Sequence, residues 1–292
     1  MDWIVFLFGS GLVFFLGVLL ILVSATTLAL SSRKLLVAIA NLFAMLGLLF
    51  VIASATPMPL SLFFVGVLAT VAWLIAERSQ SPTFLARRKL LRILVVIVWG
   101  TAADLEYSYQ RMPVLPIRDR QETLYVIGDS VTAGMGGGEK ATWPKLVAEQ
   151  YSVNVVDLAQ PGATVKSALL QAEKLPESGG LVLLEIGGND LLGTTSAAQF
   201  ERDLKHLLNA VCVARRDVVM LELPLPPMCG EYGRIQRRLA AKYKVKLIPK
   251  RIFISVLTGP DATLDSIHLS KEGHRRMASV LGDLLYPKRA DE

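Results

Sequence analysis

The first 76 residues of the chain carry three charged side chains, Asp2, Arg33 and Lys34, whereas the following 216 residues carry 53 of the 56. A soluble domain averages about one charged residue in four. The second part of the chain has that ordinary density, but the first part cannot supply a soluble surface. This asymmetry predicts a membrane region joined to a soluble domain, and it excludes a disordered chain and a small disulfide scaffold.

Three apolar runs in the charge-poor region are each long enough to cross a bilayer as a helix: residues 3–25, 35–55 and 60–76. A spanning helix needs about 17 to 25 predominantly apolar residues. A cleaved signal peptide begins with a positive region, but the only early charge here is Asp2. We therefore expect three uncleaved membrane helices.

A fourth apolar run, at residues 93–103, is short for a spanning helix. We expect it to span because Lys89 and Arg92 can extend back to one interface, while Tyr107 and Tyr109 can anchor the other. The alternative is a segment that lies flat at the interface. The two readings place the soluble domain on opposite sides of the membrane.

The basic residues of the loops predict the orientation. Arg33 and Lys34 separate the first two runs, and a basic stretch at residues 78–92 separates the last two. Both loops belong on the cytoplasmic side by the positive-inside rule. The N-terminus is then outside and, with four spans, the soluble domain is extracytoplasmic. If the fourth run lies flat, the domain is cytoplasmic.

The net charge of +6 does not indicate a nucleic-acid partner. Residues 121–292 carry 21 Lys and Arg against 20 Asp and Glu, so the excess lies beside the apolar runs. No basic, aromatic-rich surface element is visible. The sequence predicts a membrane region at residues 1–104, a linker at 105–121, an α/β domain at 122–288 and a tail at 289–292.

Strand-type and helix-type segments alternate in the soluble part. The predicted strands are residues 124–127, 153–158, 181–186, 218–223 and 245–248. The predicted helices are residues 143–150, 165–173, 197–214, 233–243 and 271–285. This alternation predicts a three-layer α/β domain with a parallel five-stranded sheet. Ligands bind such sheets beyond the carboxyl ends of the strands.

Polar residues at these ends can assemble a nucleophilic site. Ser130 follows the first strand within Gly128-Asp129-Ser130, and Asn189 follows the third within Gly187-Gly188-Asn189-Asp190. Asp265 and His268 lie in the loop before the last helix. A serine needs a base to take its proton, and a carboxylate to orient that base. Taken singly, each motif is an ordinary turn or cap.

The combination resembles the SGNH (GDSL-like) hydrolases over about residues 122–287. The matching blocks are Gly128-Asp129-Ser130, Ala159-Gln160-Pro161-Gly162-Ala163-Thr164, Gly187-Gly188-Asn189-Asp190, and Asp265 to His268. The resemblance implies a flavodoxin-like sheet, hydrolysis of acyl esters, and no metal or other cofactor. It implies a catalytic triad of Ser130, Asp265 and His268, and an oxyanion hole of Ser130, Gly162 and Asn189. Val131 departs from the signature, which has Leu there.

The chain is thus predicted to be a membrane-anchored serine esterase whose partners are the lipid bilayer and an acyl ester, either an O-acylated envelope glycan or a lipid. One alternative is an acyltransferase that uses the same triad. Another is a non-catalytic binding or sensing module, although both nucleophile and base are present. We expect Asp190 to cap the helix after its motif, and His274 to have a packing role.

Overall fold

The computed structural model of the protein describes residues 2–79, 82–115, 120–135, 141–265 and 267–287. The predicted tail at residues 289–292 lies outside this range. The chain divides into two compact units. One comprises Met1–Ser10, Met112–Pro224 and Glu231–Glu292, and the other comprises Gly11–Arg111 and Leu225–Gly230. These boundaries differ from the predicted ones because the first ten residues belong with the α/β domain.

The first apolar run forms two helices, α1 (Asp2–Ser10) and α2 (Leu12–Leu30), so the prediction of a single helix over residues 3–25 is wrong. Gly11 between them has a φ of 83°, in the left-handed region that glycine adopts readily. A right-handed helix cannot continue through that conformation. Apolar character extends across the break, and for this reason hydropathy alone does not reveal it.

Within the residues that the structure describes, three helices are long and apolar enough to cross a membrane: α2, α3 (Lys34–Ala53) and α4 (Leu60–Arg78). A further helix, α5 (Pro82–Gln110), contains the fourth run and is long enough to span, but within the described residues its composition is not apolar enough to count with these three. It continues through acidic and aromatic residues to Gln110. The first residues of the predicted linker are therefore helical.

Small residues bring the helices of this unit together. A Cβ added at Gly17 of α2 would stand 2.7 Å from the Gly47 carbonyl oxygen of α3, so the two backbones are nearly in contact. Close approach at small residues is typical of membrane helices. Between α4 and α5, Trp99 Nε1 donates to Thr70 Oγ1 at 2.8 Å. Arg92 forms an ion pair with Glu77 at 2.5 Å.

The α/β domain is built on a parallel five-stranded sheet of order β2-β1-β3-β4-β5. The strands are β1 (Leu124–Gly128), β2 (Val155–Asp157), β3 (Leu181–Glu185), β4 (Asp217–Leu221) and β5 (Lys246–Ile248). In the register, Leu124 is opposite Val155 on one side and Leu181 on the other. Helices separate successive strands, as a parallel sheet requires. The predicted fold class is confirmed.

Eight helices surround this sheet within the described residues. They are α6 (Ser130–Ala133), α7 (Trp143–Tyr151), α8 (Ala168–Ala172), α9 (Gly188–Leu192), α10 (Ala197–Val211), α11 (Gly230–Tyr243), α12 (Lys250–Leu257) and α13 (Lys271–Leu285). The core contains fully buried Leu124, Trp143, Leu183 and Ile248. The sequence analysis gave no residue ranges for the short helices α6, α9 and α12.

The N-terminal helix α1 packs against α12 within this unit. A Cβ added at Gly9 would lie 2.8 Å from Ile254 Cγ1 and 3.5 Å from Pro224 Cβ. Pro224 follows β4, and α12 follows β5. The helix α1 therefore contacts the domain near the carboxyl ends of these strands, the edge at which ligands bind in such sheets.

Candidate active site

The loop after β1 presents Ser130 as the first residue of α6, largely buried. Asp129 is the N-cap, and its Oδ1 accepts the Val131 N–H at 2.9 Å. A Cβ added at Gly128 would stand 2.6 Å from Thr132 Oγ1, so this tight turn requires glycine there. The sequence thus fixes Ser130 at the carboxyl end of a central strand.

Gln171 supports the same turn from α8. Its Nε2 donates to the Gly128 carbonyl oxygen and its Oε1 accepts the Gly128 N–H, both at 3.0 Å. The β1–β2 register ends at Val126, and beyond it the Gly128 carbonyl oxygen accepts the Gln160 N–H at 3.1 Å, so Gln171 adds to the backbone contacts that hold Gly128 in place. The sequence analysis missed this residue, because a lone glutamine on a short helix carries no signal of such a contact.

The loop after β3 meets the Ser130 turn through Asn189. Gly187 has a φ of 112°, and α9 begins directly after it. Asn189 Nδ2 lies 3.3 Å from Asp129 Oδ2 and 3.0 Å from the Ala163 carbonyl oxygen, and it donates to both. One side-chain amide therefore joins the loops that follow β1, β2 and β3.

The Gly162 loop is tied to the same region by a second contact. Gly162 itself has a φ of 74°, and a Cβ added there would meet nothing within 4 Å. Asp190 Oδ2 accepts the Val165 N–H at 2.8 Å. Asp190 lies inside α9, and Gly187 is the N-cap. The prediction that Asp190 caps this helix is wrong, because its carboxylate serves the loop after β2.

Asp265 and His268 are paired in the loop before α13. His268 Nδ1 lies 2.7 Å from Asp265 Oδ2, and the backbone N–H of His268 donates to Asp265 Oδ1 at 2.9 Å. These backbone and side-chain hydrogen bonds lower the pKa of Asp265 to about 2. An ionised carboxylate only accepts, so His268 Nδ1 carries the hydrogen and Nε2 is left to take a proton.

A second carboxyl, that of Glu185, lies beneath the Ser130 turn. Glu185 is the last residue of β3 and is 2% exposed, while Asp129 is 3% exposed. Burial raises the pKa of Asp129 to about 6. Burial, followed by the charge of Asp129, raises the pKa of Glu185 well above its ordinary value. A carboxylate that closes an otherwise apolar strand was the available sequence signal, and it was overlooked.

His274 has the predicted packing role. It is 1% exposed on α13, and its Nδ1 accepts the backbone N–H of Trp143 at 3.2 Å. Within the described part of the chain, no group of three or more His, Cys, Asp or Glu side chains is arranged to hold a metal ion. Ser130 and Asn189 lie just beyond the carboxyl ends of β1 and β3, and the charge of His268 acts on Asp129 beside them.

Comparison with known proteins finds esterases that are similar to this chain. Esterase TesA of Pseudomonas aeruginosa is 28% identical over 180 residues, which cover 57% of this chain and 89% of TesA. Thioesterase 1/protease 1/lysophospholipase L1 of Escherichia coli is 26% identical over 178 residues, covering 57% and 84%. The solved structure of TesA has a TM-score of 0.48 at 27% identity and covers 57% of this chain and 99% of that one.

The family match covers the domain that carries the site. The sequence model of the GDSL-like lipase/acylhydrolase family matches residues 126–276, which is 151 of the 292 residues. The match runs from β1 through the loop of Asp265 and His268 into α13. The chain therefore belongs to the GDSL-like lipase/acylhydrolase family, and it is an ester-hydrolysing enzyme.

Proposed function

We propose that the chain is a membrane-anchored serine esterase in which Ser130 attacks the ester carbonyl and His268, oriented by Asp265, takes its proton. The observation that carries the proposal is the 2.7 Å contact between His268 Nδ1 and Asp265 Oδ2, which leaves Nε2 available as the base. Ser130 begins α6 beyond β1, at the edge where ligands bind in parallel sheets of this kind.

The oxyanion hole is proposed to consist of the backbone N–H groups of Ser130 and Gly162 and the Asn189 amide. Asn189 Nδ2 has two hydrogens, which are directed at Asp129 and Ala163, and in this proposal one of these contacts is exchanged for the oxyanion when the tetrahedral intermediate forms. Backbone N–H groups that are fixed before the reaction stabilise the negative oxygen of the intermediate without reorganising. The ester bond breaks as the carbonyl re-forms, the alcohol leaves with the proton from His268, and water then hydrolyses the acyl-enzyme.

Exposed apolar side chains beside the motifs favour a substrate with an acyl chain. Leu192 follows Asn189 by three residues, and Leu264 and Ile267 directly precede Asp265 and His268. All three are exposed, although large apolar residues elsewhere in the domain are mostly buried. We propose lipid esters, or envelope glycan esters with apolar acyl groups, as the substrates.

The proposed topology has four spans with the catalytic domain outside. The packing of α1 on α12 supports it, because in this proposal the N-terminal helix and the catalytic domain that it contacts lie on the same side of the membrane. Residues 11–111 must then cross the bilayer an even number of times. With α2, α3 and α4 as three spans, α5 supplies the fourth, and its 29 residues give about 43 Å of helix.

The function is tested with the full chain in detergent micelles against p-nitrophenyl esters of increasing acyl length. We expect kcat/KM to rise from acetate to hexanoate by at least about tenfold, since each buried CH₂ contributes about 0.8 kcal/mol. Ser130→Ala should lower the rate by at least about 10³-fold. Ser255→Ala is the matched control, because this exposed serine on α12 contacts only its own helix in the described structure. Activity of the Ser130→Ala variant near that of the control would refute the nucleophile assignment.

The topology is tested separately by a reporter fused after Glu292. A reporter that works only in the extracytoplasmic space should be active. Activity only from a cytoplasmic reporter would show that α5 does not span, and the substrates would then be intracellular esters.

A further inference from the structure

Glu185 occupies a position where a carboxylate is costly. It ends β3, whose other four residues are leucine and valine, and all five are buried. An isolated charge in such a place costs several kcal/mol unless it is paired or neutralised. Glu185 lies beside Asp129, a second buried carboxyl, and two adjacent buried carboxylates cannot both ionise readily. The pair therefore retains a proton.

The hydrogen bonds indicate which oxygen of Glu185 is occupied. Thr132 Oγ1 lies 2.8 Å from Glu185 Oε2, and Trp143 Nε1 lies 3.3 Å from the same Thr132 oxygen. An indole N–H can only donate, so the Thr132 oxygen accepts from Trp143 and its single hydrogen goes to Glu185. Oε2 thus accepts from Thr132, and the retained hydrogen serves the side-chain hydrogen bond between Glu185 and Asp129.

Asp129 is better placed than Glu185 to hold the negative charge. Its two oxygens accept the Val131 N–H at 2.9 Å and the Asn189 amide at 3.3 Å. The charged groups that act on Asp129 are Asp190, which disfavours its ionisation, and His268, which favours it. The charge that acts on Glu185 is that of Asp129 itself. The proton therefore resides on Glu185.

We propose that Glu185 is a positioning residue of the ester-hydrolysing site, which donates a retained proton to Asp129 and so holds Asp129 as the charged acceptor that orients both the Ser130 turn and the Asn189 amide. The role of Ser130 and Asn189 rests on the proposed function, whereas the retained proton does not. Hydrogen bonds to an ionised acceptor are about twice as strong as neutral ones. The proton on Glu185 thus stiffens the nucleophile turn and the oxyanion donor together.

The retained proton is tested by comparing Glu185→Gln with the wild type. The amide keeps a donor toward Asp129 and an acceptor for Thr132, but it has no proton to lose. The folded wild type retains the Glu185 proton, whereas the unfolded chain releases it above about pH 4.5, which is the ordinary pKa of a glutamate. Above that pH, the unfolding equilibrium constant of the wild type therefore rises about tenfold per pH unit relative to that of the variant. The rise ends when the pH reaches the pKa of Glu185 in the folded state.

The measurement is the unfolding temperature of the full chain in detergent from pH 5 to pH 8. The difference in unfolding temperature between Glu185→Gln and the wild type, with the variant the more stable, should increase as the pH rises. Thr132→Val is the matched control, because it breaks the contact to Glu185 Oε2 but keeps both carboxyls; its difference from the wild type should stay constant. A difference for Glu185→Gln that is also independent of pH would overturn the retained proton, whatever the result for Ser130→Ala.

The positioning role needs a kinetic readout. Glu185→Ala leaves Asp129 without its donor, and we expect kcat to fall about 10²-fold with little change in KM, as for a misplaced catalytic group. Glu185→Gln should recover most of this loss. A rise in KM alone, or equal kcat for the two variants, would overturn the role. If Glu185→Ala does not fold, the positioning role is tested by comparing the kcat of Glu185→Gln with that of Thr132→Val. Glu185→Gln should have the higher kcat, and a lower or equal value would overturn the role.

Discussion

The catalytic domain shifts the pKa values of two of its carboxylates in opposite directions. Asp265 lies in an exposed loop, where hydrogen bonds from His268 lower its pKa to about 2. Asp129 lies beneath the Ser130 turn, where burial raises its pKa to about 6 although it also accepts hydrogen bonds. In water-exposed loops the hydrogen bonds decide, whereas in the interior desolvation outweighs them. One carboxylate is therefore a constant charge, and the other can change within the working pH range.

The largest effect should come from removing the constant charge. Asp265→Asn removes the charge that fixes the His268 tautomer and stabilises the imidazolium, so kcat should fall about 10³-fold or more. Asp283→Asn is the control, since it alters an exposed carboxylate that accepts the Tyr151 hydroxyl on the surface of α13. Steady-state kinetics of the two variants should differ by orders of magnitude. Equal rates would mean that Asp265 acts only within its own loop.

The next effect concerns the amide that Asp129 holds in place. Asn189→Ala should lower kcat about 10²- to 10³-fold, as the loss of one oxyanion donor does. Asn154→Ala serves as the control, because this exposed asparagine contacts Thr123 before β1. If kcat in Asn189→Ala matches the control, the amide has a structural role in joining the loops and no role in the reaction.

A smaller effect, dependent on pH, should come from neutralising Asp129. Asp129→Asn removes its charge at every pH, whereas wild-type Asp129 loses its charge as the pH falls through about 6. The variant should be about tenfold slower at pH 8, with the difference between neutral and charge-assisted hydrogen bonds as the cause. At pH 5 the two rates should converge, and any titration of His268 is shared by both proteins. A rate ratio that stays constant from pH 5 to pH 8 would contradict this account.

The smallest effect should come from Gly162→Ala. The added methyl meets nothing within 4 Å, so its cost is the left-handed backbone, about 1–2 kcal/mol. Gly179→Ala is a close control, because Gly179 has a similar φ of 81° and equal free space. It lies before β3, at the opposite end of the sheet. Both variants should unfold at similar temperatures, but only Gly162→Ala should lower kcat, by up to tenfold or so.

Local patterns predicted the strands well, because each is an apolar run between turn residues. They predicted the Ser130, Asn189 and Asp265–His268 motifs as candidates for the same reason: short motifs at strand ends are visible in sequence. The helix break at Gly11 was not predicted, because the residues on both sides of it are equally apolar. The helix α12 was not predicted, because it is only eight residues long and follows β5 through Pro249.

The supporting contacts of the site could not be predicted in the same way. Gln171 and Glu185 act across 43 and 53 residues of sequence, on Gly128 and Thr132 respectively. Asp190 has the composition of a helix cap, but its partner is Val165 in another loop. Such contacts depend on which strand ends are neighbours in the sheet, and that order is a property of the folded domain.

The central claim is that Ser130 is the nucleophile, and trapping the acyl-enzyme tests it most directly. The full chain in detergent is mixed with excess p-nitrophenyl hexanoate, quenched in acid within the first turnover, digested and weighed by mass spectrometry. We predict one hexanoyl group per chain on the peptide that contains Ser130, and none in Ser130→Ala or His268→Ala. A hexanoyl group on a different residue, or turnover by Ser130→Ala at the wild-type rate, would contradict the account.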